Sequence, residues 1–105
     1  MAGPPQLTPE QRAEALAKAA AARRARAEVK ELLKSGAITF DELLVRAESD
    51  PTVAGMKVKA VLSSMPGLGK VKSARLMEEL GISENRRVRG LGTKQVEALR
   101  SALSD

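Results

Sequence analysis

The chain has 105 residues, with 18 Lys and Arg against 13 Asp and Glu, a net charge of +5 and a sequence pI near 10.0. That length suits one small domain, and that charge suits a polyanionic partner, nucleic acid or an anionic membrane surface. Cysteine and histidine are both absent, which excludes disulfides and thiolate metal sites and removes the commonest general base; a carboxylate-only site stays open, but no loop clusters carboxylates, so no metal, cofactor or catalytic residue is expected.

Residues 1–7 carry Pro4 and Pro5 and no periodicity, and are expected to form a flexible lead. They show neither a positive n-region nor an apolar h-region, so a cytoplasmic protein is expected. Thr8-Pro9-Glu10-Gln11 is a strong helix start, with Thr8 as cap, Pro9 at the first helical position and Gln11 closing a capping box. A long helix is predicted over 8–36, ended by Gly36 in the left-handed region. Its first two-thirds are rich in alanine, which favours helix but buries little apolar area. Val29, Leu32 and Leu33 supply a core-facing edge. Arg12, Arg23, Arg26, Lys30 and Lys34 fall on one face of an ideal wheel. A charged face of this kind is usually just solvated; beside the turn region below, it reads as an arm that lies along phosphates.

Thr39 to Glu42 forms a second capping box and opens a helix to about Ser49, with Phe40, Leu43, Leu44 and Ala47 facing inward. Asp50-Pro51 ends it, and residues 51–56 read as a connector. A short helix is expected from Lys57 to Ser64, with Val58, Val61, Leu62 and Met65 in the core. Pro66-Gly67-Leu68-Gly69 turns the chain. Lys70 to Leu80 forms the next helix, with Val71, Ala74, Leu76, Met77 and Leu80 available for burial. Gly81 caps it, Ile82 packs back, and Ser83 opens a turn. After Gly90-Leu91-Gly92, Thr93 is expected to cap a last helix that buries Val96, Leu99 and Leu103. No stretch alternates long enough to make a strand. The fold class expected is all-α, with five or six helices and no sheet, and residues 37–105 form the compact domain behind the 8–36 helix.

The segment Met65 to Lys94 concentrates the chemistry. Between 57 and 94 nine cations face three carboxylates, a net of +6 that exceeds the whole-chain value. Glycines in a Gly-Leu-Gly turn permit positive φ and leave no Cβ to block a close approach. The helix that follows offers free N–H groups and the positive end of its dipole to a phosphate. Lys70 and Lys72 follow the first turn and Lys94 the second, ready for charge-assisted contacts. Pro66-Gly67-Leu68-Gly69-Lys70-Val71-Lys72-Ser73-Ala74 resembles the helix-hairpin-helix phosphate-binding motif, with Ala74 as the small residue at the helix crossing. An ordinary αα-turn with glycine caps is the plainer reading, and the flanking cations weigh against it.

Arg86, Arg87 and Arg89 precede the second turn, where arginine forks onto phosphates or enters a narrow minor groove. The candidate DNA-binding set is therefore Pro66, Gly67, Leu68, Gly69, Lys70, Lys72, Arg86, Arg87, Arg89, Gly90, Gly92, Thr93 and Lys94. Arg23, Arg24, Arg26, Lys30, Lys57 and Lys59 form a secondary set. The one aromatic residue, Phe40, leaves little for bases to stack on. Duplex read through backbone and shape is the expectation, with low sequence specificity.

Thr8 to Leu103 as a whole resembles the actinobacterial integration host factor family. The resemblance rests on PQLTPEQRAEAL with KAAAARRARAEVK, on GMKVKAVLSSMPGLGKVKSARLMEELGI and on RRVRGLG. It implies a helix-two-turns-helix module behind a long helix, a module shared with a small-subunit ribosomal protein and with formamidopyrimidine-type DNA glycosylases. It further implies a nucleoid-associated protein that bends double-stranded DNA, assists phage integration and recombination complexes through DNA, compacts the chromosome and shapes transcription. A monomer in solution is expected. A ribosomal-type RNA-binding module on the same fold is the alternative. A glycosylase would need a second domain and a catalytic pair that a chain this short lacks. The alanine face of the first helix is too thin for firm membrane insertion, so no membrane partner is expected.

Overall fold

A computed structural model of the chain describes residues 6–104; most of the 1–7 lead, and Asp105, lie outside the described residues. Six helices follow one another: α1 (Pro9–Lys34), α2 (Phe40–Ser49), α3 (Pro51–Ala54), α4 (Val58–Ser64), α5 (Lys70–Glu79) and α6 (Thr93–Leu103), with a 3₁₀ turn over Val88–Gly90. Among the described residues there is no sheet, only one antiparallel bridge between Lys57 and Arg87.

Local chemistry explains most boundaries. Thr8 accepts from the Gln11 N–H while the Gln11 side chain accepts from the Thr8 N–H, and Thr39 and Glu42 repeat this reciprocal cap at α2. Gly36 and Gly81 adopt positive φ, and the next N–H in each case reaches back to the helix, Ala37 to Leu32 O and Ile82 to Met77 O. Both are the left-handed stops that glycine makes at little steric cost. Two expectations fail locally. Residues 51–56 are not a plain connector, because Asp50 accepts from the Thr52 N–H and Pro51 starts the one-turn helix α3. Thr93 is not the cap of α6 but its first residue; Gly92 holds the cap position, and its N–H donates to the Gln95 side chain.

The core gathers Val29 and Leu33 from α1, Phe40 and Leu43 from α2, Val58, Val61 and Leu62 from α4, Met77 from α5 and Leu99 from α6. Val53 joins from α3, and Met56, Ile82 and Val88 fill the space between helices. α1 packs on α3 and α4, α2 on α3, and α4 on α5. Only the last part of α1 takes part. Residues 9–19 are exposed throughout, so roughly the first half of a helix about 39 Å long stands clear of the body. The chain is accordingly elongated, with principal extents of 55 × 32 × 26 Å.

Val71, expected in the core, is 73% exposed, while Ser73 is fully buried. Two residues along a helix turn about 200° round its axis, so the face that buries Ser73 and Met77 necessarily turns Val71 outward. Ser73, rather than the half-buried Ala74, is the small side chain that α5 buries completely, and its hydroxyl has no hydrogen-bond partner. Leu68 is half-buried but lies outside the core cluster, whereas Leu91 of the second turn packs against it.

The two Gly-Leu-Gly turns also differ in backbone. Gly67 and Gly69 both have positive φ, and Gly69 at φ 65°, ψ 178° occupies a region open essentially to glycine alone. Gly92 at φ −79°, ψ 163° is ordinary extended backbone, and a Cβ added there would find its nearest neighbour, the Gln95 side-chain oxygen, at 4.0 Å. Gly90 likewise lacks positive φ.

Leu99→Ala is expected to cost about 2–5 kcal/mol in urea unfolding and Val71→Ala less than about 0.5 kcal/mol. Gly69→Ala is expected to destabilise by about 1–3 kcal/mol. Gly92→Ser is expected to be neutral or to gain a few tenths of a kcal/mol through capping. Equal costs at the two glycines, read from urea midpoints, would contradict this division.

Candidate nucleic-acid interface

Each glycine turn ends at the start of a helix that no side chain caps. At α5 the first intrahelical bond is made by Ser73 N–H to Gly69 O, 3.1 Å, which leaves the N–H groups of Lys70, Val71 and Lys72 pointing out of the helix end. At α6 the first is Val96 N–H to Gly92 O, 3.0 Å, leaving those of Thr93, Lys94 and Gln95. Pro66, Gly67, Gly69, Lys70 and Lys72 are exposed, as are Gly90, Gly92, Thr93 and Lys94. Both corners therefore offer free donors and the positive end of a helix dipole to solvent.

A short tie positions the second corner. The Val58 N–H donates to Arg86 O and the Val88 N–H to Met56 O, both at 2.9 Å. This pins the loop before the 3₁₀ turn to the start of α4 and sets Lys57 directly opposite Arg87. The Arg87 guanidinium donates to Gly55 O at 2.6 Å, and the Arg86 guanidinium to Gly90 O at 3.0 Å. Arg86 Nε is buried without a partner. Arg86 and Arg87 thus brace the corner as well as charging it, a double duty their sequence position did not reveal. Arg89 is exposed and lies over Gly55, where an added Cβ would sit 3.2 Å from its Nη1.

Three shallow clefts connect the corners. Ser83, Asn85, Arg86, Arg87, Arg89 and Gly90 line one of about 280 Å³. Arg87 is shared with the next, about 240 Å³, where Arg26 and Lys30 of α1 meet Gly55 and Lys57. Lys30 and Lys57 are shared in turn with a third of about 570 Å³ that runs past Lys59, Ser63 and Ser64 to Gly69 and Lys70. A strip of cations thus leads from Gly90 to Gly69. Glu84 interrupts it, its carboxylate 3.7 Å from Lys59 Nζ.

Of the secondary set, the structure gathers Arg26, Lys30, Lys57 and Lys59 into this strip. Arg23 and Arg24 are exposed farther along α1 and line none of the three clefts. Gly55, Ser63, Ser64 and Asn85 were not singled out in the sequence. Gly55 is the instructive case, since its φ is −85° and its value lies in the room it leaves for Arg89 and in its carbonyl. Arg100 takes no part, being paired with Asp41 at 2.6 Å between α6 and α2. No helix among the described residues is long and apolar enough to cross a membrane.

Residues 33–103 match the S13-like H2TH domain family. The chain is 56% identical over 99 residues to the integration host factor of Streptomyces coelicolor, covering 94% of this chain and 92% of that protein. It is 56% identical to the integration host factor of Mycobacterium tuberculosis and 55% identical to that of Mycolicibacterium smegmatis, each over 95 residues and 90% of both chains. Among solved structures, that of sIHF bound to an 8 bp palindromic DNA aligns with a TM-score of 0.78 at 49% identity, over 81% of this chain and 96% of that one. With identity this high over nearly the full length of its relatives, the chain belongs to the actinobacterial integration host factor family.

Proposed function

We propose that this chain is a non-enzymatic, nucleoid-associated protein that holds and bends double-stranded DNA with little regard to sequence. It serves recombination, chromosome compaction and transcription through the shape it imposes. The observation that carries the reading is the pair of open helix starts joined by a strip of cations that Glu84 interrupts at Lys59. A duplex presents two rows of phosphates, and two uncapped N-termini at the ends of one basic strip are suited to engage both. The DNA-bound state of the sIHF structure, 49% identical, supports the same partner.

The residues proposed to touch DNA divide by role. At Gly67, Gly69, Gly90 and Gly92 the backbone approaches phosphate closely. Lys70, Lys72, Arg89 and Lys94 supply charge at the corners, and Arg26, Lys30, Lys57 and Lys59 extend the field toward α1. Arg86 and Arg87 hold the second corner in place with part of their donors and offer the rest. This is backbone recognition; among the described residues no helix face groups Asn or Gln side chains for base edges, so specificity comes from DNA shape.

Because Arg86 and Arg87 brace the fold, the cleaner test falls on Arg89 and Lys94. Arg89→Ala and Lys94→Ala are each expected to weaken duplex binding similarly across sequences and to lower the salt slope by about one. Fluorescence anisotropy at several salt concentrations measures both quantities. Unchanged affinity and slope in the folded double variant, or a preference of about tenfold for structured RNA over duplex in competition, would sink the proposal. Glu84→Gln is expected to act in the opposite sense, tightening binding and steepening the slope, because it frees Lys59 for phosphate.

A further inference from the structure

The cleft between α1, α4 and the start of α5 gathers four of the lysines assigned to duplex around one hollow. Lys30 comes from α1, Lys57 from the tie, Lys59 from α4 and Lys70 from α5, and all four line a space of about 570 Å³. No carboxylate lines it among the described residues; the nearby Glu84 pairs with Lys59 from outside, at 3.7 Å. Gly69 closes one end, next to the free N–H groups of α5. The volume falls within the range of small-ligand sites, roughly 300–1,000 Å³.

From this arrangement we infer that the cleft is a binding site for a compact polyphosphate anion, a linear chain of three or more phosphoryl groups, free or carried on a nucleotide. The inference rests on the duplex-binding reading of the neighbouring corner and adds a competitor to it. Lys30, Lys57, Lys59 and Lys70 bring four positive charges to the lining of one cleft, with only Lys59 paired to a carboxylate, and a short, highly charged anion relieves their mutual repulsion in a way a single phosphate does not. Lysine suits the task because it binds phosphate as a point charge on a flexible stem. The two serines contribute differently. Ser63 and Ser64 donate their protons to Lys59 O and Ala60 O, at 2.7 and 2.9 Å. Their oxygens are thus left as acceptors, and the donors for the anion are the lysines and the α5 backbone. Because Gly69 and Lys70 belong both to this cleft and to the DNA corner, a polyphosphate seated here excludes duplex from that corner.

The test titrates inorganic tripolyphosphate into the full chain without DNA, following amide shifts and heats, with orthophosphate at equal ionic strength as the control. Saturable shifts at Lys57 to Lys59, Ser63, Ser64 and Gly69 to Lys72 are expected. Affinity should fall by about tenfold or more in the Lys59→Ala/Lys70→Ala variant and stay within about twofold in Arg46→Ala, an exposed cation of α2 that lines none of the three clefts. Tripolyphosphate should also displace labelled duplex at about a tenth of the orthophosphate concentration that does so. ATP binding as tightly as tripolyphosphate assigns recognition to the triphosphate group wherever it is carried, and weaker ATP binding assigns the cleft to the free chain. Circular dichroism confirms that the variants are folded. Shifts that spread over every cation and follow ionic strength alone, or a double variant that binds unchanged, would overturn the inference. Failure of the duplex reading looks different: saturable tripolyphosphate binding would persist while anisotropy with duplex showed no retention.

Discussion

Two backbone hydrogen bonds, Val58 N–H to Arg86 O and Val88 N–H to Met56 O, decide where the second glycine corner sits. The loop from Ser83 to Leu91 is too polar to be placed by burial alone. Val88 is its one buried hydrophobic side chain, with Leu91 partly buried beside the core. The bridge supplies the missing constraint, and the Arg87 bond to Gly55 O reinforces it across 32 residues of sequence. A charge-assisted bond of this kind to a carbonyl is stronger than a neutral one. Without the tie, Arg86, Arg87 and Arg89 would be cations on a loop; with it, they continue the strip that begins at Gly69.

The two corners reach similar ends by different means. Gly67 and Gly69 are required by the backbone itself, since the turn from α4 to α5 runs through positive φ. Gly90 and Gly92 are not. Gly90 lies under the Arg86 side chain, where a Cβ would come within 3.2 Å of Cδ, and Gly92 has open space around it. A serine at 92 would cap α6 better than glycine does. Retaining glycine there sacrifices a little stability and keeps the helix start uncovered, which makes sense if a bulky anion approaches it.

The long first helix shows how stability and charge are divided along one element. Its C-terminal part is anchored by Val29 and Leu33, buried against α3 and α4. Its N-terminal half holds its helical form by the Thr8–Gln11 cap and by alanine propensity, with residues 9–19 exposed. Arg26 and Lys30 lie where the anchored part meets the body, and so their positions are set by packing. Arg23 and Arg24 lie beyond it, where only the helix itself holds them.

Much of this organisation was legible in the residues themselves. Capping boxes at Thr8 and Thr39, left-handed stops at Gly36 and Gly81, and the excess of cations between 57 and 94 are local or additive signals, and each led to the observed element or charge. The errors share a cause. Thr93 looked like a cap because threonine usually is one, but the chain enters α6 one residue earlier, at Gly92. Val71 looked like core because it is apolar, yet the register that seats Ser73 and Met77 turns it outward.

Sequence alone thus determined five of the six helices, most of their ends and the sign of the field, because those follow from interactions within about four residues or from simple sums of charge. Tertiary structure decided which cations are neighbours, which arginines brace the fold and which glycines are conformationally obligatory. Those outcomes depend on hydrogen bonds and packing between segments some thirty residues apart, and no local pattern encodes such distances.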